Sequence, residues 1–339
     1  MSPMILFAFA TLTPAALLAL GALHGGIWVL AALGFMTVLT ATLDEVVRRV
    51  IPDRAESDFP AANTLSAALA LTHFAVLGLS VRAMADPALG LWDKLGLLAA
   101  AGLFMGQVSN SNAHELIHRG NRVLHDLGKW VYISLLFGHH TSAHVLVHHR
   151  QVGTRADPST ARLGESFYRF FWRAWRGSFR KGYEAEKSRL DRVGRSGWHN
   201  PYVTYLAGAV LMLGLALALG GVAGLAGYLT LCLYAQAQLM LSDYVQHYGL
   251  TRSLTPDGRA EPISPRHSWN SPHWFSSALM LNAPRHSDHH AHPTRPFPAL
   301  DLPDGAPMLP RALPVMACVA LIPPLWRRVM DPRVAQVTP

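Results

Sequence analysis

Residues 224–250 read GLAGYLTLCLYAQAQLMLSDYVQHYGL, an apolar run that ends in Asp243 and His247. About 20 such residues cross the hydrocarbon of a bilayer as a helix, because only an internally hydrogen-bonded backbone is tolerated there. The run is therefore read as a membrane span near 224–243 that continues past the bilayer core and carries His247 on its end. The 339-residue chain is half hydrophobic and only 15% charged, which is poor in charge for a soluble protein and points the same way.

Five further spans are expected near 3–21, 26–43, 62–83, 92–109 and 202–219. The first lacks a basic n-region and a convincing cleavage site, so it is read as a retained helix and not a signal peptide. A stretch near 313–326 is interrupted by Pro314, Pro323 and Pro324 and is expected at the interface or packed on the bundle. Lys and Arg are unevenly placed: three in 44–61, fifteen in 110–200 and nine from 244 onward, against Arg82 and Lys94 on the other side. The positive-inside rule then makes the termini and both long hydrophilic segments cytoplasmic, in an inner or plasma membrane. The fold expected is all-α and integral to the membrane, one domain over 1–339, with about six transmembrane helices and a cytoplasmic cap from 110–200 and 244–339 that carries a poly-histidine two-metal site. The net charge of +8 is explained by topology and anionic lipid, with no nucleic-acid partner required. Residues 165–195 interleave aromatics with Arg and Lys and are read as an amphipathic helix in the headgroup region.

Eighteen histidines are present. Four groups lie on the cap side: His114 and His118 in HELIH; His144, His148 and His149 in HVLVHH; His247 in QHYG; and His286, His289 and His290 in RHSDHH. On a helix an i, i+4 pair shares one face and can grip one cation, as His286, His289 and His290 at i, i+3 and i+4 would share one, whereas an adjacent pair such as His148 and His149 splays toward two. Nine imidazoles exceed what one ion takes and suit two cations with four or five ligands each. Imidazole accepts Zn, Cu, Fe or Ni, so spacing alone does not name the metal. The two cysteines, Cys232 and Cys318, are too far apart and too apolar in setting to form a thiolate site. HELIH also matches the HExxH box of zinc proteases, but a protease would leave the other three groups without a role. His24, His73, His125 and His199 are isolated and read as structural; His139, His140, His267, His273 and His292 read as supporting or surface residues. A cation carrier would need polar groups near mid-span; apart from His73 and Lys94 the spans have almost none.

HELIHR, HVLVHH, DYVQHYGL and RHSDHHAHPTR, in this order and separated by these spans, resemble the integral-membrane alkane hydroxylases (alkane 1-monooxygenases) of the membrane desaturase and hydroxylase superfamily. The resemblance implies a monooxygenase with two iron ions that uses O2 to hydroxylate a terminal or unactivated C–H bond of a hydrophobic, alkane-like substrate. Electrons would come from a rubredoxin or ferredoxin with its reductase. The implied ligands are His114, His118, His144, His148, His149, His247, His286, His289 and His290. A fatty-acyl desaturase of the same superfamily is the alternative activity. The family's second box usually reads EHxxGHH, where this chain has Ala143 and Val147; its HYG box commonly has Glu where this chain has Gln246; and Pro284 precedes Arg285. Glu115, Asp243 and Asp288 are then the expected carboxylate partners of the ligands, with Arg285 beside them, and an altered substrate or redox setting is implied.

Overall fold

The computed structural model describes residues 3–47 and 60–337. Three of the counted basic residues, Arg48, Arg49 and Arg54, lie outside the described residues. Among the described residues the protein is helical throughout, with two isolated β-bridges and no strand. We number the main helices α1 (Pro3–His24), α2 (Ile27–Val46), α3 (Pro60–Ala85), α4 (91–117), α5 (Arg122–Ser134), α6 (140–151), α7 (Phe167–Arg192), α8 (Pro201–His247), α9 (Trp274–Leu279), α10 (His286–Ala291), α11 (Leu313–Ala320) and α12 (Pro323–Val337).

Among the described residues four helices are long and apolar enough to cross a membrane: α1 and α2, α3, and the 47-residue α8. Between α1 and α2 the chain turns on Gly25 and Gly26, and the Gly26 N–H donates to Asp93 Oδ1 at 2.7 Å. That bond ties the turn to the start of α4. This helix, with Asp93 and Lys94 in its first turn, forms over the expected stretch near 92–109 but is not one of the four.

α8 is two helices in one. Gly221 has φ 56° and ψ −153°, a conformation in effect open to glycine alone. A Cβ built on Gly224 would stand 3.3 Å from the Ala216 carbonyl, eight residues earlier. A straight helix would separate those residues by about 12 Å. The chain therefore doubles back at Gly221, and the expected runs 202–219 and 224–243 form its two arms. The second arm delivers His247. The stretch near 313–326 breaks into α11 and α12 around Leu321 and Ile322, with α11 packed against α8, consistent with the prolines there.

Candidate metal centre

Each histidine box has a local cause for its direction. α4 widens into a π-helical turn over Met105–Ser109, then resumes as Asn110–Ile117 with His114 and, at its end, His118. α6 contains a second π turn over His144–His148. In an α-helix each residue advances about 100°, so His148 would share the face of His144 and His149 would point away. The extra residue in a π turn reverses this. His149 Nε2 lies 2.9 Å from His144 Nε2, and His148 faces elsewhere. α10 follows Leu281 and Asn282, both in the left-handed region at φ 49° and 56°. Asn282 is held there by its N–H to the Ser277 carbonyl (2.7 Å) and its side-chain amide to the Phe297 carbonyl (2.9 Å).

The nine histidines gather into two groups. His114, His118, His144, His149 and His289 form one, and His148, His247, His286 and His290 the other; within each group one ring nitrogen per residue lies within 4.8 Å of all the rest. The adjacent pairs 148/149 and 289/290 divide between the groups as their geometry suggested. Two spacing expectations fail: His144 and His148 part because of the π turn, and His286, His289 and His290 do not share one face. His289 joins the first group and the other two the second.

The donor set fits metal. Nε2 of His144 lies 2.8 Å from that of His114, and Nε2 of His286 lies 2.9 Å from His247 and 3.1 Å from His290. Nitrogens bound about 2.1 Å from one cation stand about 3.0 Å apart at right angles. Nε2 of His118 and of His148 are buried and have no hydrogen-bond partner. Burial drives the His114 ring down to about 3 and carries His118, His144, His149, His286, His289 and His290 well below the ordinary histidine value. These rings are neutral at pH 7, so their lone pairs are available to a cation.

His148 is the exception. Its Nδ1–H donates to Asp157 Oδ2 at 2.8 Å, and although burial disfavours charge on both, the pairing raises the histidine and lowers the carboxyl. Asp157 also accepts from Thr160 Oγ1 (2.7 Å) and the Ser159 N–H (3.0 Å). A partner of this kind fixes a ligand's tautomer and orientation.

The expected carboxylate partners act otherwise. Glu115 pairs with Arg119 and accepts the Phe297 N–H at 3.0 Å. Asp288 accepts both bonds from Arg295 at 2.7 Å, one from His292 at 2.8 Å and one from the Asp301 N–H at 2.9 Å. Both brace the loops around the centre. Arg285 is buried and donates to the Leu300 carbonyl at 2.6 Å. Asp243 is buried close enough to His148 to act on its charge, without an Oδ2 partner. Sequence reasoning missed Asp157, which stands nine residues beyond His148 in an irregular loop; a lone carboxylate in a polar stretch carries no periodic signal. Where the resemblance leads one to expect Glu, the chain has Ala143, and His144 Nδ1 is without a partner. Gln246 bonds Ser242 (2.9 Å) and the Ala283 carbonyl (3.1 Å), which His286 also uses.

Of the supporting histidines, His267 offers its carbonyl toward His247 Nδ1 at 3.4 Å. His140 is buried with its ring 5.0 Å from His144. His139 approaches Ser178 at 3.4 Å, His273 bonds Ser271 at 2.8 Å, and His73 bonds Ser134 at 2.7 Å.

A cavity of about 500 Å³ runs between α2, α4, α8 and α11. Met36, Leu103, Leu239, Met280 and Leu313 line it, and it reaches His114 of one group and His286 of the other. Its lining also includes Val38, Tyr234 and Leu321, which are exposed on the outside of the bundle.

Apolar helices that carry two histidine-only donor groups at the end of an apolar cavity define an integral membrane protein with a metal-binding centre. A family profile described as "Fatty acid desaturase" matches residues 91–314. Alkane 1-monooxygenase 1 of Alcanivorax borkumensis is 35% identical over 266 residues, covering 78% of this chain and 66% of that protein. Alkane 1-monooxygenase of Pseudomonas putida is 36% identical, covering 77% and 65%. Alkane 1-monooxygenase 2 of A. borkumensis is 32% identical over 84% of this chain and 74% of its own length. The chain belongs to the alkane 1-monooxygenase branch of the fatty acid desaturase family. It matches just under two thirds of the length of the first two relatives.

Proposed function

We propose that this chain is a membrane monooxygenase that hydroxylates an unactivated C–H bond of a hydrophobic, alkane-like molecule. The observation that carries this reading is the apolar cavity that meets one histidine of each group, His114 and His286. The nine clustered histidines are the proposed ligands of two iron ions, with five on one and four on the other. The overall reaction balances as RH + O2 + 2 e⁻ + 2 H⁺ giving ROH + H2O. Iron, when bound, supplies the redox chemistry that O2 reduction requires and that no side chain offers.

The chain's own residues do the rest. Burial keeps the ligand rings other than His148 neutral, and Asp157 fixes His148 so that its Nε2 points inward. The apolar lining keeps water from the reacting carbon and holds a flexible hydrocarbon near the two groups, which lowers the entropic cost of reaction. Substrate enters from the bilayer past Val38, Tyr234 and Leu321. His114, His118 and His149 are partly exposed, whereas the four-residue group is buried throughout, so electrons from a separate rubredoxin or ferredoxin system arrive first at the five-residue group. The termini are cytoplasmic in this reading, in line with the distribution of Lys and Arg.

Metal analysis of the detergent-purified chain and of His289→Ala, with product analysis on a hydrocarbon, tests the proposal. About two irons per chain and an alcohol product, both diminished in the variant, are expected. A single zinc unaffected by the substitution would overturn it, and an alkene product would assign desaturation instead.

A further inference from the structure

α7 carries three distinct faces. Phe170, Ala174, Ser178, Gly182 and Glu186 are buried against the protein, and Ser142 donates to Glu186 at 2.7 Å. Tyr168, Trp172, Trp175, Phe179 and Tyr183 form a row at i+3 and i+4 spacing, and all five are exposed, by 36 to 55%. A third row holds Arg169, Arg176, Arg180 and Lys187. Five large aromatics in water would be a costly surface, whereas Trp and Tyr are favoured at a bilayer interface.

The surroundings of the aromatic row fit that position. Tyr168 donates to the Leu321 carbonyl at 2.9 Å, Trp175 donates to Gln236 at 2.9 Å, and Phe179 packs on Tyr202 at 5.2 Å. Leu321, Val203, Leu206 and Tyr234, beside these contacts, are themselves exposed apolar or aromatic residues of α8 and its neighbour. The row thus continues the lipid-facing side of the bundle.

The basic residues of α7 divide by use. Arg173 donates to the Pro158 and Thr160 carbonyls (2.9 and 3.0 Å) and pairs with Glu165, and Lys181 donates to Ala156. These hold the loop that carries Asp157. Arg169, Arg176 and Lys187 make no ion pair among the described residues, and Arg180 has only a solvent-exposed pair with Glu184, which is worth little. Arg176 lies over the Trp172 ring at 5.8 Å, at the boundary between aromatic and basic rows.

We propose that α7 is a docking helix for anionic phospholipid: its aromatic row lies at the hydrocarbon boundary, and Arg169, Arg176 and Lys187 bind the phosphate headgroups. Free cations one row from a membrane-facing aromatic edge have the charge and the depth that such headgroups require.

The test uses the full chain in phosphatidylcholine vesicles that contain the same fraction of brominated phosphatidylglycerol or brominated phosphatidylcholine. Quenching of Trp172 and Trp175 is isolated by subtracting the Trp172→Phe/Trp175→Phe variant. Three basic residues predict that brominated phosphatidylglycerol is enriched at these indoles by roughly tenfold to a hundredfold. The excess falls toward unity in high salt and in Arg169→Gln/Arg176→Gln/Lys187→Gln, and it persists when Lys replaces the two arginines. Equal quenching by both lipids in the unsubstituted chain overturns the proposal and leaves the basic row to an acidic soluble partner. An excess that survives both the Gln variant and salt overturns it as well.

Discussion

Asp157→Asn separates the two histidine groups. The carboxylate takes His148 Nδ1–H and Thr160 Oγ1–H on one oxygen, at 2.8 and 2.7 Å, and the Ser159 N–H on the other at 3.0 Å. Asparagine has nearly the same shape but one acceptor oxygen, so in either amide orientation an NH2 faces a donor inside the protein. The lost bond is charge-assisted and worth about 1.5–3 kcal/mol, which corresponds to roughly 10- to 150-fold in affinity. Loss of a partner behind a ligating histidine falls in the same range, about 10- to 100-fold. The cost falls on the four-member group, because His148, which hydrogen-bonds Asp157, belongs to it. Purified protein loaded with iron is titrated with chelator, and the retained metal is measured by mass spectrometry. The variant should lose about half its iron at a chelator concentration roughly 10- to 100-fold lower than the parent, with the other half released as before. Parallel weakening of all the iron, or a profile identical to the parent, would refute the assignment of Asp157 to one group.

Acid should destabilise the metal-free protein. Above pH 6.5 the clustered rings other than His148 are neutral whether folded or unfolded; below it the unfolded chain takes up protons that the buried rings refuse, down to about 3 for His114. Each such ring costs up to about 1.4 kcal/mol per pH unit. His148 has the opposite sign, since its raised value adds stability below the unfolded value and loses it as pH rises, but it is one ring against eight. Thermal unfolding in detergent should therefore show a melting temperature that falls between pH 6.5 and 5, and at least as steeply when metal is bound, since ligation also requires neutral rings; a flat profile would contradict neutral burial. Gly221→Ala forces a Cβ into φ 56°, ψ −153°, and should cost about 1–3 kcal/mol in the same assay, whereas Gly214→Ala, whose Cβ meets nothing within 4 Å, should be neutral or slightly stabilising. Ala317→Trp puts an indole into the cavity lining, and turnover of a long hydrocarbon should drop roughly 100-fold with iron content unchanged; unchanged turnover would remove this cavity from the substrate path.

The sequence was explicit about what its local rules encode. Apolar runs of span length appear where long apolar helices form, because a bilayer enforces hydrophobicity residue by residue. The nine histidines were legible because imidazole clusters at helical spacing are costly unless they have work to do, and all nine converge. The break near 313–326 followed from its prolines, and the two arms of α8 from separate apolar runs near 202–219 and 224–243.

Only the tertiary structure decided which histidine serves with which. His144 sides with His149 and not with His148 because the backbone opens into a π turn, a hydrogen-bond register with no signature in residue type. His289 leaves His286 and His290 because a six-residue helix lies between the two groups and presents adjacent faces to both. Asp157 replaced the expected Glu115 and Asp288 for a similar reason. A carboxylate becomes the partner of a ligand through a loop that packs beneath it, and α7 positions that loop from outside with Arg173 and Lys181. Composition and spacing act along the chain and can be read there, whereas the division of donors between two sites is a property of distances across it, fixed only when the helices pack.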